Sequence, residues 1–364
     1  MNLIPYTRAH LPEIFYLLSE NEQFFSQLQD LSLGVILNCK IEYTATLLNI
    51  LAKNTTKIRS LELDEFDSDY DQQSFHALYY ALICIIKSQK QLIKFKLHGN
   101  HFPRKFHGII SALESQKNSL QEVKLIDCDY NAEFEVLKNF KKLEAFRFWY
   151  HNNEKLLKIL NYKVSTLEIV NFRFKASTLA QILEKSGVLL QRLIYCSGDE
   201  LFWEESLLLN AIKSFCPNIT YLSLWSIGLS TQFLELMNNL PKLQFLSLCR
   251  LIHNIPVTVE ELKIIVMQFA EILPLTLQYL DFRNPLFNQY VDIFLNHCNA
   301  PLKKLLINHL DNKKNTKALI KFCIRKKTLN YVGLIRYCDL TNNIRKDVKT
   351  YVTLVPHYRI LVPF

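Results

Sequence analysis

The chain has 364 residues, 49% of them hydrophobic and 21% charged, with a formal net charge of +9. This composition can bury a continuous core and leaves no long polar or low-complexity tract to argue for disorder. No stretch approaches about 18 uninterrupted apolar residues, and the N-terminus lacks a basic region ahead of a clean apolar run, so membrane insertion and secretion are not expected.

Residues 1–27 are expected to form an N-terminal capping region, with the helical segment LPEIFYLL at 11–18 feeding the first strand. From Leu28 onward one six-residue word recurs: an apolar residue, two variable ones, a leucine-like residue, one variable, another leucine-like residue. It reads LQDLSL at Leu28, IRSLEL at Ile58, LIKFKL at Leu92, LQEVKL at Leu120, LEAFRF at Leu143 and VSTLEI at Val164. It continues as LQRLIY at Leu190, ITYLSL at Ile219, LQFLSL at Leu243, LQYLDF at Leu277, LKKLLI at Leu302 and LNYVGL at Leu329. Leucine fills 24 of these 36 anchor positions, whereas 62 leucines in 364 residues would place about six there by chance. The mean period near 27 lies in the leucine-rich-repeat range.

Within each word the alternation is that of a strand, and between words the period becomes helical. Phe75, Leu78, Tyr79, Leu82 and Ile86 form one apolar stripe; Phe233, Leu236, Met237 and Leu240 form another; Leu262, Ile265, Val266, Phe269 and Ile272 a third. No single repeat can bury both its strand and its helix, so the repeats must stack. The expected fold is therefore an α/β leucine-rich-repeat solenoid over residues 28–347, a horseshoe with parallel strands on the concave face and helices on the convex face. With only seven glycines, its tight turns must use other residues. Residues 348–364, ending YVTLVPHYRILVPF, are strand-like and are expected to cap the last repeat or fold back along the coil.

The positive charge is local, because residues 302–364 hold 14 Lys and Arg against three Asp, leaving 29 basic and 31 acidic residues before them. Such a patch could meet an acidic protein face or nucleic acid. Runs such as KKNTK fall on expected convex helices, where solvated lysines are ordinary, so nucleic acid is not the expected partner. The nine cysteines are odd in number and nowhere closer than 15 residues, a pattern of buried thiols in a cytoplasmic or nuclear protein.

No two glycines lie close enough for a phosphate-cradling loop, and the chain has no HExxH, CxxC or GxSxG. His98, His101 and His107 are the nearest approach to a metal cluster, and with no cysteine beside them they are read as incidental. Glu204 and Glu205, like Glu260 and Glu261, sit at expected helix starts, where the helix dipole favours acids. No catalytic residue, cofactor or metal site is expected.

The residues between the buried leucines point to the concave face, the usual partner surface of a solenoid. Tyr221, Phe245 and Tyr279 share one slot in three successive words and are expected to form an exposed aromatic ladder, with Trp225 beside it. A loop or the apolar C-terminal tail covering the ladder is the alternative. Trp149, Tyr221, Trp225, Phe245, Tyr279 and Arg283 are the candidate partner-binding residues, being of the types enriched at binding hot spots. On this reading, alanine at Tyr221 and Phe245 removes binding without lowering the melting temperature.

The segment FCPNITYLSLWSIGLSTQFLELMNNLPKLQFLSLCRL, residues 215–251, resembles the cysteine-containing (RNI-like) leucine-rich repeats of the F-box/LRR-like proteins of fungi, and LLNILAKNTTKIRSLEL from Leu47 is similar in cadence. Of the consensus Asn or Cys after each word, Asn100 and Cys128 are present and most others are not. The resemblance implies a non-enzymatic substrate-recognition subunit of a cullin ubiquitin ligase, whose repeats hold a protein substrate while an F-box grips a Skp-type adaptor. An F-box needs some 40 residues of packed helices, and the first word starts at Leu28, so that module is expected to be lost or to lie upstream of Met1. A scaffold or GTPase-regulator-like repeat protein with no ubiquitin link is the alternative.

Overall fold

A computed structural model describes residues 2–3, 25–33, 41–64, 72–99, 108–150, 154–159, 163–172, 175–197, 205–248, 258–283, 285–310 and 312–362. The expected helix at 11–18, together with His101, His107 and Glu204, lies outside them. The chain divides into two compact units, Met1–Phe174 and Lys175–Phe364.

In the first unit the strands are β1 (Asn2–Leu3), β2 (Asp30–Leu33), β3 (Ser60–Leu63), β4 (Lys94–His98), β5 (Glu122–Ile126), β6 (Ala145–Trp149) and β7 (Thr166–Phe172). Each pairs in parallel with the next, and the words align residue for residue: Leu31 opposite Leu61, Leu61 opposite Phe95, Phe95 opposite Val123, Val123 opposite Phe146, Phe146 opposite Leu167. The interval between words sets what joins the strands. The long interval before Leu92 holds a 17-residue helix, Gln72–Ser88, whereas the short one before Leu143 holds only the 3-10 segment Ala132–Asn139.

The second unit carries β8 (Arg192–Ser197), β9 (Tyr221–Trp225), β10 (Phe245–Leu248), β11 (Tyr279–Phe282), β12 (Lys304–Ile307), β13 (Tyr331–Leu334) and β14 (Thr353–Pro356), again parallel and in sequence order. Its connections include the helices Glu205–Phe215, Thr231–Asn238, Val259–Ile272 and Lys313–Lys326. The last strand comes from the C-terminal segment itself, with Val355 opposite Gly333.

Every word anchor is buried except Leu28, and the helical stripes meet them: Leu78, Tyr79, Leu82 and Ile86 are buried, as are Phe233, Leu236, Met237 and Leu240. Burial of this layer, about 25 cal/mol per Å² of apolar surface, is what drives stacking. The turns solve the glycine shortage with Asp127, Tyr150 and Ser226, which follow β5, β6 and β9 in the left-handed region at φ 48°, 60° and 60°. The backbones of Asp127 and Tyr150 extend the sheet hydrogen bonds by one step: Asp127 N–H donates to the Trp149 carbonyl at 2.8 Å and Tyr150 N–H to the Val170 carbonyl at 2.9 Å.

Two buried glutamines bind neighbouring repeats of the first unit. Gln89 accepts from Ile58 N–H at 2.9 Å and donates to the carbonyls of Thr55 and Ile85; Gln116 repeats this one coil later, accepting from Leu92 N–H and donating to Ile86 and Gln89 carbonyls. Each amide satisfies helix-end and loop groups that would otherwise be orphaned in the core.

Candidate protein-interaction faces of the strands

Alternation along each strand sends one set of side chains into the core and the other to the open face away from the helices. In the first unit that open face is a charged ladder. Glu62, Lys96, Lys124, Arg147 and Glu168 occupy one slot in five successive strands. Lys96 is paired with Glu62 and, at 2.9 Å, with Asp64; Lys94 faces Glu122 at 3.6 Å; Arg147 holds Glu122 at 2.8 Å and also pairs with Glu168. Although burial works against it, the hydrogen bonds that Lys96 donates to Asp64 and Glu62 raise its pKa above the ordinary value.

Trp149 closes this ladder. Its indole N–H donates to Glu168 at 2.7 Å, and the Lys124 ammonium lies 3.4 Å from its ring centroid. Lys124 differs from its neighbours in having a ring face where they have carboxylates, a cation–π contact. Partial burial lowers the Lys124 pKa, Glu168 opposes this, and the cations Lys96 and Arg147 on either side lower it further. The arrangement is a half-buried ammonium on an aromatic face, in a frame of ion pairs that hold each other in place.

The second unit presents a different surface. Arg192 lies 3.6 Å above the Tyr221 ring, Tyr221 stacks on Phe245 at 3.8 Å and 8°, and Phe245 stacks on Tyr279 at 3.9 Å and 12°. The three rings thus share a slot as the word register requires. The expectation that they are exposed is overturned: Tyr221, Phe245 and Tyr279 are 7%, 9% and 5% accessible. The rings cover one another's faces, and the Val362 backbone lies near the last of them, Tyr279. Burial, with a smaller contribution from the Asp281 carboxylate, pushes the Tyr279 phenol far above its ordinary range.

The adjoining slot is buried as well. Ser223, Ser247, Asp281 and Leu306 are each at most 1% accessible. Asp281 receives two hydrogen bonds from the Arg283 guanidinium at 2.8 Å and one from Ser247 at 3.2 Å. Arg283 is therefore committed to an internal ion pair, and Trp225, ending β9, is half-buried. Of the six candidate residues, Trp149 lies in one unit and the other five in the other.

Among the described residues no three His, Cys, Asp or Glu side chains are placed to hold a metal ion. Burial pushes the Cys216 and Cys298 thiols up to about 12, which leaves them protonated and unreactive near neutrality. Glu205 accepts from Gly228 N–H of the following repeat, and Glu261 forms a reciprocal capping box with Thr258. Among the described residues no helix is long and apolar enough to cross a membrane.

No family model and no curated protein matches the sequence. Among solved structures, the chain is similar to one in the crystal structure of the Rad7 and Elc1 complex in yeast, at 13% identity and a TM-score of 0.53, covering 96% of this chain and 88% of that one. The leucine-rich repeat-containing protein LegL7 from Legionella pneumophila is matched at 15% identity and a TM-score of 0.47, over 73% of this chain and 91% of that one. Sequential parallel strands, the register of the repeated word and the likeness to the yeast structure make this chain an α/β leucine-rich-repeat solenoid.

Proposed function

We propose that this chain is a non-enzymatic protein-interaction solenoid, and that a protein partner docks on the strand face of its first unit. The observation that carries this reading is Lys124, a half-buried ammonium seated on Trp149 and, among the described residues, lacking a carboxylate partner where its neighbours Lys96 and Arg147 each have two. A partner carboxylate entering there completes the pattern of the ladder, and the surrounding ion pairs keep the site organised before binding. Of the candidate contact residues, Trp149 belongs to this site; Tyr221, Trp225, Phe245, Tyr279 and Arg283 belong to a second contact surface that opens only when the C-terminus withdraws.

The resemblance of the repeats to F-box/LRR proteins, together with a similar yeast chain crystallised in a complex with Elc1, supports the finer reading of a substrate-recognition subunit that works with a Skp-type adaptor and a cullin. The test is affinity purification of the full chain beside Lys124→Ala and Lys94→Glu. The expected result is one set of proteins lost from both variants, the substrate, while adaptor and cullin remain. An unchanged set in both variants removes the docking site. Absence of adaptor and cullin from a set that still depends on Lys124 favours a scaffold with no ubiquitin link.

A further inference from the structure

The C-terminal segment does more than add a strand. After β14 the chain turns through His357–Arg359, and Leu361 N–H bonds back to the His357 carbonyl at 3.0 Å. Ile360, 7% accessible, then sits on β13 at Gly333: a Cβ built on that glycine would lie 2.9 Å from Ile360 Cδ1 and 3.1 Å from His357 Cα. Gly333 shares its slot with Leu306, Asp281 and Ser247, and Leu306 is wholly buried although it points to the open face. Two residues beyond Ile360, the Val362 backbone lies near Tyr279 of β11, whose buried hydroxyl has no hydrogen-bond partner among the described residues. The open face of the second unit is therefore a track with a seat for a branched apolar side chain at Gly333.

The glycine has a local meaning. In other strands the equivalent slot carries a side chain, and at 333 the missing side chain is the space that Ile360 fills. Beside the track Tyr331 is 40% accessible, so the track is open on that side.

We propose that the strand face between β11 and β13 is a binding groove for an apolar peptide bearing a branched side chain, and that Ile360–Val362 occupies it in cis as a built-in competitor. This rests on the reading that the strand faces of this solenoid carry partners. A tethered segment competes at an effective concentration set by its short linker, so a ligand in trans meets a closed groove until the tail lets go.

A fluorescent peptide of sequence HYRILV, residues 357–362, tests this on full-length chains by polarisation. Wild type is expected to bind it weakly, Ile360→Asp at least tenfold more tightly because its own tail no longer seats, and Ile360→Asp/Gly333→Leu not measurably because the seat is filled. A folded Ile360→Asp that binds no better than wild type overturns the proposal, as does binding that survives Gly333→Leu. Hydrogen exchange on the wild-type chain gives a second reading should the variants unfold. Leu361 and Val362 amides exchanging at least a hundredfold faster than those of β12 indicate a strap that releases locally; equal protection overturns the proposal. Peptide binding without any Lys124-dependent partner keeps the groove and removes the docking site of the first unit, and the reverse result does the opposite.

Discussion

Glu168, wholly buried, takes the Arg147 guanidinium on one carboxylate oxygen and the Trp149 indole N–H on the other. Removing one partner of a buried ion pair strands the other, at a cost of roughly 3–5 kcal/mol, whereas replacing both by apolar groups is often neutral. Arg147→Met is therefore expected to destabilise the chain by about that amount, and Arg147→Met/Glu168→Met to recover most of it. Urea denaturation measures both. A double variant as unstable as the single one would mean that the carboxylate is held mainly by Trp149.

Gln89 presents a similar dependence without charge. Its amide serves Ile58 N–H and the carbonyls of Thr55 and Ile85, all buried. Each unsatisfied buried group costs about 1–3 kcal/mol, so Gln89→Leu is expected to cost at least about 2 kcal/mol. Gln191→Leu, at an exposed position, should stay within about 0.5 kcal/mol, as surface changes do. Equal midpoints for the two variants would dismiss the cross-repeat role of Gln89.

How far each of these features could be read in advance follows from what a one-dimensional pattern contains. The twelve words place β2–β13, because leucine at fixed offsets reports which side of a strand is buried. The same offsets place Tyr221, Phe245 and Tyr279 in one slot and Trp149 on the open face. They carry no information about what lies on that face, so they predict a wet ladder where the structure has a dry one. The glutamine contacts do have a trace in the sequence: Ser-Gln-Lys occurs at 88–90 and again at 115–117, one repeat apart. The seat at Gly333 left none, since a glycine in a strand becomes meaningful only when another segment is seen to cross it.

The buried thiols tie stability to alkaline pH. Burial holds Cys216 and Cys298 protonated up to about 12, while in the unfolded chain a cysteine ionises near about 8.5. Their contribution is fully present below the unfolded value and lost as pH rises from there toward the folded one, because the unfolded state then binds fewer protons. Each thiol adds a slope of at most about 1.4 kcal/mol per pH unit in that window. Cys216→Ala/Cys298→Ala should therefore show a flatter fall in stability between pH 8.5 and 10 than wild type. In the native chain iodoacetamide at pH 8 should modify the exposed Cys338 and spare Cys216 and Cys298, read by mass spectrometry. Rapid labelling of Cys216 before unfolding would show its repeat opening locally.

The aromatic ladder separates a surface site from a core one. Phe245 has a ring on each face, Tyr221 at 3.8 Å and Tyr279 at 3.9 Å, and only 9% of its surface is accessible. Truncating a buried phenylalanine to alanine costs roughly 3–5 kcal/mol, and a stacked pair couples by about 0.5–1.5 kcal/mol beyond its area. Phe245→Ala is therefore expected to lower stability by about 3 kcal/mol or more, so alanine at Tyr221 and Phe245 together cannot leave the melting temperature unchanged. A double-mutant cycle should find coupling in that range for Tyr221 with Phe245, and less for Tyr221 with Tyr279, which the central ring separates. If Phe245→Ala shifts stability by under about 0.5 kcal/mol, the ladder behaves as exposed surface in solution. A full loss with weak coupling would instead assign the stability to burial rather than to ring stacking.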